Sequence, residues 1–363
     1  MHFQIPGSEL LAAVNLVERA VASNDTLPAL TGIHCAAENG KLTLTANNLQ
    51  IAIKTSAPCT VFEPGEQIVS GRLFAELVRK LPNDNVIVEY KNNQMAISAG
   101  TMEFLLNTIP ADEFPEFAQC GEKVLSLTDY ELDRLIRNSS FAASNDEHQP
   151  IFSGVLLEVL DKDSFNFIAT DSNRLAYVEG ESGVALVENR EFIIPKANLA
   201  ELNRCLPMTE EVVDVFYGDN QLAFNFAGTV FVTRLIDGKF PNYRAVMYQE
   251  QETSFVVNRK HFIDALERAT LFSRAERVPV IIEVTDGVLQ IGTTSRLGRA
   301  EEQYNVEQEG KNERAAYSPK FILHMLKTMA GELVEFKFED SRQALIKPRD
   351  SDGHVSILMP IRI

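Results

Sequence analysis

Apolar positions along the chain fall into a pattern that occurs three times. Phe3 to Leu10, Leu125 to Leu132 and Phe255 to Phe262 each join a strand residue, at one spacing, to the first buried residue of an amphipathic helix. Leu10, Val14, Val17 and Val21 share a helix face, as do Phe262, Leu266, Ala269 and Phe272, at steps close to a helical turn. A second helix follows in each copy, over residues 72–81, 196–206 and 320–329, with Leu199, Leu202 and Leu206 on its buried side in the middle copy. A hairpin comes next: 86–90 with 94–98, 213–217 with 221–226, and 334–338 with 343–347. Asn92-Asn93, Gly218-Asp219-Asn220 and Glu339-Asp340-Ser341 offer turn residues between those strands. Alternation such as K-L-T-L-T at 41–45 buries one strand face and wets the other.

The repeat is far longer than a solenoid unit and matches a whole domain. The expected fold class is therefore α+β: three repeated domains, each with two helices packed on antiparallel sheet. Polar or Pro-bearing connections near 112–123 and 249–253 divide the chain into 1–122, 123–250 and 251–363. Three like domains point to assembly geometry before catalysis.

Composition fits an ordinary globular chain, at 363 residues with 45% hydrophobic and 23% charged. The opening MHFQIPGSEL lacks the basic and apolar stretches of a secretory leader. No run approaches the roughly 20 apolar residues of a membrane span. Cys35, Cys59, Cys120 and Cys205 are far apart and form no CxxC pair. A cytoplasmic protein with reduced thiols is expected.

Net charge of −17 argues against nucleic acid only as an average. The six helical windows lean basic, and acid is concentrated in strands and loops. Lys and Arg on helices are often just a solvated face. If all six helices face one space, that space is positive inside an acidic shell and tolerates phosphate without gripping it.

Catalytic motifs are missing. The histidines never fall at i, i+4, and there is no GxSxG, GxGxxG or Walker A. The segment 292–299, G-T-T-S-R-L-G-R, superficially resembles a phosphate loop but reads better as a strand-to-strand connection. Asp171 reads as a turn carboxylate accepting backbone N–H bonds rather than as a nucleophile. No cofactor and no metal are expected.

Five motifs, in order along the three repeats, carry a resemblance. They are T-L-P-A-L at 26–30, P-A-D-E-F-P at 110–115, A-T-D-S-N-R-L at 169–175, L-I-D-G-K-F-P-N-Y-R at 235–244 and L-M-P-I-R-I at 358–363. Together they make the chain resemble bacterial DNA polymerase III beta subunits, the replicative sliding clamps, over essentially its whole length.

That resemblance implies a non-catalytic processivity factor, a head-to-tail homodimer closing into a ring around duplex DNA, without sequence preference. Heterologous contacts of this kind generate rings when the rotation closes. Helices would line the hole, with Arg19, Arg72, Arg79, Lys80, Arg134, Arg137, Lys196, Arg204, Lys260 and Arg268 facing DNA. It also implies a pocket between the second and third domains, where the replicative polymerase, clamp loader and repair proteins dock Gln-x-x-Leu-Phe-like peptides. Its matching positions are Phe152, Thr170, Ser172, Asn173, Arg174, Leu175, Pro241, Val246, Phe321, Met359, Pro360, Ile361 and Arg362. At the ring seam, Phe104 and Leu106 would pack against Leu271 and Phe272, with Arg72 near Glu301 and Glu302.

Some positions depart from the family pattern. Asn24 and Asp25 stand where a basic residue is common, and the DNA-contacting loop is the acidic N-D-E-H-Q at 145–149, leaving His148 and Gln149 as candidate contacts. Ser172-Asn173 replaces the usual Gly-His. Two other readings stay open on residues alone: a hydrolase using scattered carboxylates, and a repeat scaffold that binds only protein.

Overall fold

The computed structural model describes the chain except for residues 24–26, 83, 118–120, 147, 162–163, 182, 248–250, 274–277, 341 and 363. Asn24, Asp25, Thr26, Cys120, Ser341 and Ile363, on which expectations above rest, therefore lie outside the described residues. The chain folds into two compact units, Met1–Asp129 with Ala200–Leu235 and Tyr130–Leu199 with Ile236–Ile363. The middle repeat contributes to both.

In the first unit an antiparallel ladder runs from Thr60–Glu63 through His2–Pro6 to the first-repeat hairpin, Asn85–Lys91 and Gln94–Ala99. Asn92 and Asn93, at φ of 50° and 62°, make its turn. Two consecutive positive φ values match the right-handed strand twist, and Asn tolerates them. Asp219 and Asn220 do the same, at 48° and 58°, between Val212–Gly218 and Gln221–Phe226. The first-repeat and middle-repeat strands join where Ile51–Pro58 pairs with Thr229–Arg234, register Thr55↔Thr229 to Ile51↔Thr233. At that join the buried hydroxyls of Thr55 and Thr229 hydrogen-bond at 2.9 Å. Helices α1 (Gly7–Val17) and α2 (Gly71–Val78) bury Leu10, Val14 and Val17, and Phe74 and Val78, respectively. Helix α2 ends short of the expected residue 81, because Pro82 disfavours helical backbone at Leu81.

The second unit holds α3 (Asp129–Ser140) beyond its first residue and the opening turn of α4 (Lys196–Cys205), whose residues from Ala200 onward belong to the first unit. It also holds the short turn α5 (Arg244–Met247), α6 (Arg259–Ser273) and α7 (Pro319–Thr328). One sheet passes from Arg190–Pro195 through Gly154–Asp161, Ser164–Thr170 and Arg174–Glu179 to His354–Leu358, then into the last repeat. The Leu175↔Ile357 register makes the C-terminal strand the neighbour of the Arg174 strand. Under the last repeat lies an aromatic core in which Phe255 and Phe336 stack at 5.1 Å, with Phe262, Phe338 and Tyr317 also buried. The phosphate-loop look-alike is a hairpin, Val288–Ser295 against Gly298–Asn305.

Cys35 and Cys205 are buried free thiols whose pKa values burial pushes up to about 12, and Cys59 is half-buried and free. No described helix is long and apolar enough to cross a membrane. Among the described residues no cluster of His, Cys, Asp and Glu could hold a metal ion.

Candidate functional site

The turn over residues 170–174 is held by its own polar groups. Thr170 Oγ1 donates to the Arg174 carbonyl at 2.8 Å and accepts the Ser172 amide at 3.2 Å. Asp171 Oδ1 accepts the amides of Asn173 and Arg174, both at 3.1 Å. Ser172 has φ of 69°, a left-handed conformation that glycine adopts at no steric cost. The tight turn aims Arg174 inward, where it is 8% exposed.

Four groups, one from the same turn and three from α3's end and α7, surround that guanidinium. Its Nε donates to Asp171 Oδ2 at 3.0 Å, and Nη1 reaches His324 Nδ1 at 3.0 Å. Its Cζ lies 4.3 Å from the Phe321 ring centroid and 5.6 Å from that of Phe141. Both oxygens of Asp171 are thus committed to the turn and to Arg174, a structural carboxylate rather than a reacting one. Burial lowers the His324 pKa, and Arg174, Lys320, Lys196 and Lys327 lower it further. Lys196 is lowered for the same reasons, burial first and then Arg174, against the pull of Asp171.

Leu175, the next residue along the strand, forms an apolar wall with buried Leu156, Phe240, Tyr243 and Ile357 and the half-buried Val246. The 235–244 motif holds that wall through a buried carboxylate. Glu158 accepts the Tyr243 hydroxyl and Arg244 Nη2, the latter at 2.6 Å. Gln343 Nε2 donates to the Val246 carbonyl at 3.0 Å. Phe152 and Pro241 are half-buried. The C-terminal segment crosses on main-chain bonds, Met359 N to Asn173 O at 2.9 Å and Ile361 N to Ala316 O at 2.7 Å. Met359 and Ile361 side chains stay exposed at 43% and 39%. Pro360 is half-buried, Asn173 and Arg362 are exposed, and a cleft of about 600 Å³ opens beside Phe321, His324 and Ile361.

His324 and Phe141 belong to this arrangement and were not among the expected positions. The i, i+3 spacing of Phe321 and His324 on α7 was the available signal, since it puts both on one face. In the neighbouring strand, buried His354 has its pKa pushed down to about 4 by burial, with Arg134 adding to the effect. Its Nε2 has no hydrogen-bond partner among the described residues.

The expected DNA-facing residues divide into two groups. Arg19 pairs with Glu201 at 3.1 Å, and Arg204 shares that carboxylate. Arg79 pairs with Glu18, Arg134 with Glu131 at 2.8 Å, and Arg137 with Asp133 at 2.6 Å. Arg268 grips Glu302 through two bonds of 2.6 and 2.7 Å. Lys196 Nζ donates to Ala143 O and Asn145 Oδ1, both at 3.0 Å. Arg72, Lys80 and Lys260 are exposed without a carboxylate partner among the described residues, and His148 and Gln149 are exposed. The positive helical surface anticipated from counts is therefore largely neutralised within the chain.

The residues expected at the seam differ in exposure. In the strand Met102–Ile109, Leu106 is only 6% exposed and fills its own domain's core, whereas neighbouring Leu105 is 59% exposed. Side-chain alternation along a strand is the cause. Phe104 and Phe272 are half-buried, Leu271 and Arg72 are exposed, and Glu301 is bound by Arg299 and Gln290. Glu302 is already occupied by Arg268.

Comparison with known proteins covers the whole chain. Family models of the DNA polymerase III beta subunit match at residues 1–118 (N-terminal domain), 126–242 (central domain) and 244–362 (C-terminal domain). The beta sliding clamp of Bacillus subtilis is 30% identical, with both chains covered completely. That of Pseudomonas aeruginosa is 28% identical, again over both full lengths. The crystal structure of a Bacillus subtilis DNA polymerase sliding clamp superposes with a TM-score of 0.95, covering 100% of this chain and 99% of that one. A Pseudomonas aeruginosa sliding clamp bound to griselimycin, 27% identical, also gives 0.95 over both complete chains.

Proposed function

The chain belongs to the DNA polymerase III beta subunit family, and from that premise we propose that the cleft around Arg174 is where its partners dock. The protein is a DNA sliding clamp, a non-catalytic processivity factor of DNA replication that works as a homodimeric ring. A ring holds its partner near the template by topology, which raises effective concentration without a tight bond to DNA.

The occupants of the cleft are Gln-x-x-Leu-Phe-like segments of the replicative polymerase, the clamp loader and repair proteins. Leu175, Val246, Pro241 and Met359 receive the Leu and Phe anchors, and Thr170, Asn173 and Arg174 orient the peptide backbone. The observation that carries this reading is the fixed guanidinium of Arg174, buried at the edge of an apolar wall and held on Asp171, His324 and Phe321. A preorganised anchor of this kind loses little freedom when a ligand arrives. The paired arginines on the helices suit the other task, because exposed ion pairs exchange one partner for another at little cost. Phosphate contacts that carry no sequence information let a ring slide. At the seam, Leu105 and Leu271 supply the exposed apolar area, with Phe104 and Phe272 beside them and Arg72 at the rim.

The test is titration of a labelled Gln-x-x-Leu-Phe peptide against wild type and a variant lacking residues 359–363, with mass measured in the same samples. Binding by a dimeric wild type and its loss in a dimeric truncation supports the pocket. A folded, dimeric wild type that binds no such peptide refutes it.

A further inference from the structure

Resting on that pocket reading, we infer that His324 is a positioning residue for Arg174, and that partner peptides bind only while its imidazole is neutral. The geometry carries this. A guanidinium has donors and no acceptor, so the 3.0 Å contact between Arg174 Nη1 and His324 Nδ1 requires a lone pair on Nδ1. That assigns the proton of the neutral ring to Nε2. A second proton would remove the acceptor and set two cations at hydrogen-bond distance. Arg174 would keep Asp171 but lose the contact that steers its far nitrogen.

The surroundings favour the neutral ring. Arg174 and Asp171 face His324 from the 170–174 turn, Lys320 and Lys327 flank it on α7, and Lys196 approaches from the start of α4. Glu267 of α6 is occupied by Lys327 at 2.7 Å. The positive groups outnumber the carboxylates, and burial acts in the same direction. A peptide that covers the cleft excludes water and strengthens both effects, so the bound state holds the proton less well than the free one. Affinity therefore falls with acidification, by about tenfold for each pH unit below the His324 midpoint. Acidic conditions thus release partners.

Two measurements test this on the full-length dimer. The first titrates the labelled peptide from about pH 8 to about pH 5, across the ordinary imidazole range. Wild type is expected to lose affinity at the acid end. His324→Asn, which keeps an acceptor near the Nδ1 position, binds within a few-fold of wild type and loses the slope. His324→Lys binds about tenfold or more weakly at every pH, as like charges face each other. A flat wild-type profile, or parallel losses in wild type and His324→Asn, overturns the inference and leaves the pocket standing. The second follows the His324 ring by NMR without peptide. Arg174→Ala removes both the cation and the hydrogen bond to Nδ1, so the midpoint must rise. An unchanged midpoint overturns the inference even if no peptide binds, whereas absence of binding at about pH 8 counts against the pocket itself.

Discussion

Two sets of arginines in this protein meet carboxylates under opposite conditions. Arg174 lies buried against Asp171 of its own tight turn and against His324 and Phe321 on one face of α7. Arg79, Arg204 and Arg268 also pair with carboxylates, but their side chains are 43%, 58% and 53% exposed. Under the proposed reading the first geometry receives a partner and the second exchanges partners cheaply, so that burial, rather than the pairing itself, separates the two.

That contrast is sharpest where a buried charge is removed. Glu158→Ala leaves the Tyr243 hydroxyl without its acceptor and Arg244 without its carboxylate, and should cost about 4 kcal/mol in urea denaturation. A loss under about 1 kcal/mol would show that the buried polar wall is not what holds the Pro241 and Val246 loop.

Acidification probes the same unit. The His354 pKa is pushed down to about 4, below the unfolded value of about 6.5. The neutral ring is the native form, so its stability contribution is complete above about pH 6.5 and is lost as pH falls towards about 4, by about 3 kcal/mol. His354→Asn should flatten that part of a stability-versus-pH curve, and an unchanged slope would place the titrating group elsewhere.

Smaller is the expected effect of Arg174→Ala on partners, a loss of about 2 kcal/mol in peptide binding with the dimer intact by mass. Equal affinity in variant and wild type would break the comparison, because the fixed arginine would then do no more than an exchangeable one. Smallest is Glu201→Gln, which frees Arg19 and Arg204 from their shared carboxylate. Stability should change by less than about 1 kcal/mol. Equilibrium binding to linear duplex DNA should then gain a steeper salt dependence, by up to about two phosphate contacts. No change in salt slope would mean that these arginines do not reach DNA.

Much of this architecture was legible along the chain. The Asn92-Asn93 and Asp219-Asn220 turns, the one-sided α1 face and the strand-to-strand nature of residues 292–299 all follow from local rules. Neutralisation of the helical arginines was half legible. Arg134 with Glu131, Arg137 with Asp133 and Arg204 with Glu201 sit at i, i+3 or i, i+4 spacing, so pairing the charges rather than counting them would have found them. Arg19 with Glu201 and Arg268 with Glu302 depend on tertiary folding, and no spacing announces them. His324 was hidden for that reason too, its partner lying 150 residues away. The burial of Leu106 was not legible, because strand alternation fixes which neighbours share a face but not which face turns inward.

The ladder joining Ile51–Pro58 to Thr229–Arg234 has a mechanical consequence. A connection carried by a single linker swings freely, but one carried by a row of backbone hydrogen bonds resists bending as a weld does. Any tilt there strains several bonds together, besides parting the Thr55 and Thr229 hydroxyls. The junction between the first two repeats is thus a rigid segment of the ring, and the compliance needed to admit DNA has to be found elsewhere.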